Sequence, residues 1–224
     1  MHLFVNRSWF VSNVSLKPHL DKIQEELKKK EEIRDEVQRD MRRATRLSKQ
    51  TILFVHQERF NDARKLLEAA SGLLAKLSEV SKLHPDLVYT GLVNAAFEEY
   101  TEAYTLLKLI TENRFTDPEE LNVPKVSYVL GLADVIGELR RRALDSLRKG
   151  DVKTAENCLQ MMEHIYVELT AMDDAYLLVP GLRRKCDIAR RIIEATRGDV
   201  TIETRRSSLE RSIKELEKVV EEKS

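Results

Sequence analysis

Two pairs of closely spaced carboxylates are the residues of this sequence best suited to chemistry. Glu99 and Glu102 are three positions apart, and Asp134 and Glu138 are four positions apart. On a helix, each spacing puts both members of a pair on one face. Like charges at these spacings repel, and burial adds to the free-energy cost. If the two pairs meet, a divalent cation can neutralise them. An all-oxygen site suits Mg²⁺ or Mn²⁺, which can activate water and stabilise a phosphoryl transition state.

The first pair lies in a stretch with two apolar stripes. The main stripe consists of Val93, Ala96, Phe97, Tyr100, Tyr104 and Leu107. The second stripe consists of Leu92, Ala95, Ala103, Leu106 and Ile110. Glu99 and Glu102 fall inside this second stripe, where a solvated acid is not expected. Glu98 shares its face with polar residues, and we predict that it is solvated.

The second pair lies in a stretch with the same arrangement. Its core stripe consists of Val126, Val129, Leu130, Ala133, Gly137 and Leu144. Ser127 and Gly131 share the face of Asp134 and Glu138, and small residues there allow another backbone or a ligand to approach. If the two stretches form antiparallel neighbouring helices, the four carboxylates converge. The alternative is that each pair lies on a solvated helical edge and is paired with Arg or Lys.

Three consecutive arginines, Arg140, Arg141 and Arg142, follow the second acidic pair directly. They are close enough to neutralise the acids on a solvated edge. They are also placed to hold a nucleic-acid phosphate beside a metal ion, as a nuclease requires. Aromatic side chains for base stacking are few, and the nearest are Tyr100, Tyr104, Phe115 and Tyr128.

The sequence lacks the residues that several other kinds of catalytic site require. No Glu stands three positions before any of the five His, so the Glu-x-x-His pattern of di-iron bundles is absent. There is no Ser nucleophile elbow and no Gly-rich phosphate loop. We interpret His56 and His164 as packing or surface residues, and Cys158 and Cys186 as small core residues.

The elements that must position the acids are all predicted to be helices. Only 7 Gly and 5 Pro occur in 224 residues, which argues against a β-rich or α/β fold. We predict an all-α, single-domain bundle of about seven helices over residues 1–224, with 1–18 as an N-terminal segment that docks or frays. The helices are expected at about 19–56, 61–83, 86–113, 124–149, 151–170, 183–197 and from 201 onward, with Gly198 ending the sixth.

Composition limits the partners and the compartment. Lys and Arg total 38 and so do Asp and Glu, so any attraction to nucleic acid must come from a local basic patch. No run of eighteen apolar residues exists, and the first sixteen residues lack the features of a signal peptide, so no membrane is expected as a partner. Two Cys give no disulfide framework, which favours a reducing, cytoplasmic location.

Three stretches resemble the translin family, in its factor X branch. GLVNAAFEEYTEA is similar to G-L-x-E-Y-x-E-A, and SKQTILFVHQ is similar to S-K-R-T-I-F-L-L-H. VSYVLGLADVIGELRRRALDSLRKGD resembles D-Y-L-L-G-V-A-D-L-T-G-E-L-M-R followed by N-S-x-x-x-G-D. The resemblance covers residues 33–198. It implies an all-α bundle of about seven helices that assembles into a hollow, octamer-like shell and binds single-stranded RNA or DNA. The catalytic acids of the family match Glu99, Glu102, Asp134 and Glu138.

The residues and the resemblance together predict an endoribonuclease that depends on Mg²⁺ or Mn²⁺ and acts on single-stranded RNA. The four acids would hold the metal and orient the attacking water, and one of the three arginines would hold the scissile phosphate. The shell is expected as a homo-oligomer or as a hetero-oligomer with a translin subunit. Two alternatives stay open: a non-catalytic oligomer that binds single-stranded RNA or DNA, and a helical adaptor without nucleic acid.

Overall fold

The computed structural model describes residues 16–88, 91–172, 174 and 176–221, and these residues form eight α-helical segments without any strand. The segments are α1 (Lys17–His56), α2 (Phe60–Leu83), α3 (Pro85–Val88), α4 (Gly91–Glu112), α5 (Pro118–Leu121), α6 (Lys125–Arg148), α7 (Val152–Thr170) and α8 (Leu182–Glu221). Six of these segments are long helices, and α3 and α5 are single turns of four residues, so the predicted all-α bundle of about seven helices is confirmed. Most of the predicted N-terminal segment 1–18 lies outside the described residues.

The central helices of the bundle are α4 and α6. They pack against each other, and α4 also contacts α1 and α2, whereas α6 also contacts α7 and α8. The buried apolar residues form one cluster that runs through all the long helices. Its largest fully buried members are Met41, Leu106, Ile136, Leu139, Met162, Ile165 and Leu182. The two helices that carry the acids are therefore each packed against at least three other helices.

Two helix boundaries differ from the prediction. Gly198 does not end a helix, because α8 continues through it as one helix of 40 residues. A glycine inside a helix costs only about 1 kcal/mol, and the buried side chains of Ile193, Thr196 and Val200 hold both flanks against the bundle. The predicted third helix begins later than expected, since Pro85–Val88 forms a separate turn before α4. No helix in the described ranges is long and apolar enough to cross a membrane.

The break between α6 and α7 is where the sequence predicts it. Gly150 has a φ of 78°, a left-handed conformation that favours glycine. The carboxylate of Asp151 then accepts a hydrogen bond from the Thr154 amide at 3.0 Å and caps α7. This tight connection makes α6 and α7 neighbours.

Two helix ends present apolar side chains to solvent. The first turns of α1 expose Leu16, Leu20, Ile23 and Leu27. The last turns of α8 expose Ile202, Leu209, Ile213 and Leu216. In each set the residues repeat every three, four or seven positions and so form one stripe along the helix.

Candidate active site

The two acid-bearing helices, α4 and α6, approach each other closely at Gly131. A Cβ atom added there would lie 2.6 Å from the carbonyl oxygen of Glu98 and 2.7 Å from Cβ of Thr101. Real Cβ atoms do not come this close to such neighbours, so α6 packs on the backbone of α4 because position 131 has no side chain. Glu102 directly follows Thr101, and Asp134 lies one turn after Gly131. The contact therefore brings the two acidic pairs to the same place.

The four predicted carboxylates act on one another electrostatically. Burial raises the pKa of Glu102, and the negative charges of Asp134, Glu99 and Glu138 raise it further, to about 8. Carboxylates from both helices thus face one region around Glu102. Both pairs therefore lie near enough to Glu102 for their charges to act on it across the contact between α4 and α6.

Lys185 of α8 is a basic residue of this cluster that local spacing does not reveal. Its Nζ atom donates to Oδ2 of Asp134 at 2.5 Å and to Oε2 of Glu98 at 3.2 Å. Burial disfavours the charged ammonium, but the hydrogen bonds and charges of these two carboxylates outweigh it and raise the pKa of Lys185. The prediction that Glu98 is solvated is wrong, because its side chain is only 21% exposed and is paired with Lys185.

The helix α1 supplies two further partners to the acids. Nε2 of His56 lies 2.6 Å from Oε2 of Glu138, and the His56 side chain is only 5% exposed. Nζ of Lys49 lies 3.1 Å from Oε1 of Glu99. His56 is therefore a buried residue with a polar role in the cluster. The separation of 82 residues between His56 and Glu138 hides this contact from any local pattern.

The three predicted phosphate-binding arginines point in different directions. Arg140 donates to Oγ1 of Thr196 on α8 at 2.7 Å and is turned away from the acids. Arg141 is half exposed, and its guanidinium lies 3.7 Å from Oε2 of Glu138. Arg142 lines a groove against α4 and α7. Successive helical residues are about 100° apart, so the three guanidinium groups cannot share one phosphate.

The acid cluster has the donor atoms that a divalent cation needs. Four carboxylates on two packed helices are the hard oxygen ligands that Mg²⁺ and Mn²⁺ prefer. No three groups among the described residues already surround one point as ligands. The carboxylate oxygens are turned instead toward Lys185, His56 and Lys49. In donor chemistry the residues fit such an ion, which would take the place of the two lysines as the positive charge beside the acids.

The raised pKa of Glu102 leads to a prediction for stability. The folded protein keeps a proton on Glu102 between pH 4.5 and about 8, whereas the unfolded chain has lost it. The free energy of unfolding therefore falls as the pH rises through this window. Glu102→Gln removes that loss. We expect this substitution to leave the free energy of unfolding almost unchanged at pH 4 and to raise it by roughly 2–4 kcal/mol at pH 9. Urea unfolding in EDTA measures the effect.

Glu112→Gln is the matched control on the same helix. Hydrogen bonds from Lys108 and Arg114 lower the pKa of Glu112, so its charged form is favoured in the folded protein. This variant should lose a little stability at neutral pH instead of gaining it. A gain from Glu102→Gln that stays constant from pH 4 to pH 9 would contradict the electrostatic origin of the effect.

Two features define the class of this protein: the all-α bundle and the four carboxylates on its two central helices. The sequence model of the translin family matches residues 32–220, and the chain belongs to that family. The resemblance seen in the sequence is therefore confirmed, and the match extends beyond Gly198 into the second half of α8.

Relatives of the chain include an uncharacterized protein and several solved structures. The protein, from Methanocaldococcus jannaschii, is 31% identical over 175 residues, which is 78% of each chain. The structure of AfC3PO is 34% identical with a TM-score of 0.75 and covers 83% of this chain and 97% of its own. The structure of apo-NeC3PO is 30% identical with a TM-score of 0.77, and the coverages are 86% and 100%. AfC3PO in complex with duplex RNA is 33% identical with a TM-score of 0.75, and the coverages are 83% and 96%.

Proposed function

We propose that this protein is an endoribonuclease that depends on Mg²⁺ or Mn²⁺ and cuts single-stranded RNA. The observation that carries the proposal is the acid cluster between α4 and α6, in which three neighbouring carboxylates and burial raise the pKa of Glu102 to about 8. Such a cluster lowers the stability of the protein, which suits a site that binds a cation. Membership in the translin family and the likeness to AfC3PO, a protein solved with duplex RNA, support nucleic acid as the ligand.

Each residue of the cluster has a role in the proposed site. Glu99, Glu102, Asp134 and Glu138 would hold the metal ion, which would supply Lewis-acid activation of water and stabilise charge on the phosphate. Without the ion, Lys185 holds Asp134 through the contact described above, and His56 orients Glu138. Water attacks the phosphorus, the bond to the leaving ribose oxygen breaks, and that oxygen gains the proton that the water loses. No covalent intermediate with the chain is needed.

Among the three arginines, Arg141 is the residue that we assign to the scissile phosphate. Its guanidinium lies beside Glu138 at the edge of the cluster, and its side chain is 50% exposed. A guanidinium in this position can donate two parallel hydrogen bonds to phosphate oxygens. Arg140 is excluded from this role by its hydrogen bond to Thr196.

The assembly that we propose is a shell of several copies. The apolar stripes at the start of α1 and the end of α8 are exposed in one chain and suit burial against further copies. The copies are either all of this chain or include a translin subunit. Light scattering of the chain purified alone counts the copies and separates these two forms.

The proposed activity is tested with an end-labelled single-stranded RNA. We expect cleavage with Mg²⁺ or Mn²⁺ and none with EDTA, since the carboxylates alone supply no Lewis acid. A duplex of the same sequence is the comparison substrate. RNA retention that weakens with salt, without cleavage in either metal, would support the non-catalytic binding oligomer instead. No retention even at low salt would leave only a helical adaptor.

A further inference from the structure

A second candidate binding feature is an open groove of about 480 Å³ between the ends of α4 and α6 and the middle of α7. Its volume is in the range of sites that bind small molecules or parts of larger ligands. The floor contains apolar side chains, including Ile110 and Met161. The amides of Asn113, Asn157 and Gln160 also line it. A side-chain amide both donates and accepts hydrogen bonds, so the lining can read the edge of a planar heterocycle.

Two aromatic rings stand together in the wall of this groove. The ring centroids of Phe115 and His164 are 5.4 Å apart, with the ring planes tilted by 50°. Both side chains are exposed, and that of Phe115 is 37% accessible. Exposed rings beside amide groups are the elements with which proteins stack and hydrogen-bond the bases of single-stranded nucleic acid.

Arg142 connects the groove to the acid cluster. It follows Glu138 by four residues on α6, which is one turn and about 6 Å along the helix axis. It also lines a neighbouring cleft that contains His56, and His56 contacts Glu138. Arg142 makes no hydrogen bond or ion pair with any residue that the structure describes. Its guanidinium is therefore available to an anion that lies between the acids and the groove.

We propose that this groove binds one base of the RNA strand beside the scissile phosphate, with Phe115 and His164 stacking on the base and Arg142 contacting the adjoining phosphate. The inference rests on the proposed function, because the acid cluster determines where the strand is cut. In this proposal the groove gives the protein a preference among bases, because the amide side chains contact the base and not the backbone.

The test uses a series of otherwise identical single-stranded RNAs, each with one abasic nucleotide at a different position. Cleavage by the parent protein with Mn²⁺ should slow about 10-fold when the abasic nucleotide falls at one position beside the cut. On intact RNA, Phe115→Ala and His164→Ala should each slow cleavage about 10-fold. Because the base and its stacking partner act as a pair, the cleavage rate of these variants should no longer depend on whether that position is abasic.

Matched variants separate stacking from folding. Phe115→Trp keeps a ring and should restore the rate and the positional dependence. His84→Ala, at the end of α2, removes a histidine outside the groove and should change neither. If Phe115→Ala and His164→Ala keep the parental dependence on the abasic position, the base lies elsewhere and the proposal is overturned.

A second readout distinguishes failure of the groove from failure of the nuclease. Fluorescence anisotropy in EDTA measures the affinity for the same RNAs without cleavage. If the parent never cuts but binds intact RNA about 10-fold more tightly than one abasic RNA, and Phe115→Ala removes this difference, the groove proposal stands and the nuclease fails. If binding shows no positional dependence, or no RNA binds, the groove proposal fails as well.

Discussion

Asp134→Asn and Glu138→Gln should each slow metal-dependent cleavage of single-stranded RNA by a factor of about 100–1000 and leave RNA affinity in EDTA nearly unchanged. Each substitution keeps the shape of the side chain but removes one negative charge from the ion's ligands. In the proposed site the RNA contacts basic and aromatic groups outside the four carboxylates, so RNA binding should persist. Single-turnover cleavage measures the first effect, and fluorescence anisotropy with labelled RNA measures the second.

The control for these variants is Glu112→Gln at the far end of α4. Glu112 is exposed and paired with Lys108 and Arg114, outside the acid cluster. Its substitution should leave the cleavage rate at the parental value. Cleavage by Glu138→Gln at the parental rate, with the fold intact, would remove Glu138 from the catalytic site.

Gly131→Ala should lower the free energy of unfolding by about 1–3 kcal/mol and reduce cleavage by roughly 100-fold. The added Cβ atom would meet the carbonyl oxygen of Glu98 and Cβ of Thr101, and neither can yield without moving α4 or α6. A shift between these helices separates the two acidic pairs. Urea unfolding and single-turnover cleavage measure the two effects.

Gly137→Ala is the matched control, two turns further along α6. A Cβ atom at this position meets nothing within 4 Å. Alanine is favoured over glycine in a helix interior, so this variant should gain about 0.5–1 kcal/mol. Equal stability changes in the two variants would show that the helix contact at Gly131 has no special role in the fold.

Local periodicity in the sequence was sufficient for the fold class and for placing each acidic pair on one face of its helix. The apolar stripes around Glu99 and Glu102 repeat with the helical period, and the same is true around Asp134 and Glu138. The Gly150-Asp151 break is also local, since a left-handed glycine and a capping carboxylate are both visible in the sequence. These features depend on residues within a few positions of each other.

Contacts between distant elements could not be predicted in this way. Glu98 lies on a polar face of its own helix, but Lys185 of α8 covers that face. Three adjacent arginines appear as one basic group in the sequence, whereas the helix separates them and Thr196 binds the first. Gly198 stays within a helix because packing of its buried neighbours outweighs a small local propensity.

The basic partners of the carboxylates have a consequence for the resting protein. Lys185 and Lys49 form a built-in pair of counter-ions, contributed by the last and the first of the described helices. We therefore expect the chain to stay folded in a chelator, unlike small zinc domains, which unfold without their ion. In the proposed site, binding of the ion would reversibly replace the charges of the two lysines, so the free concentration of the ion would set the activity.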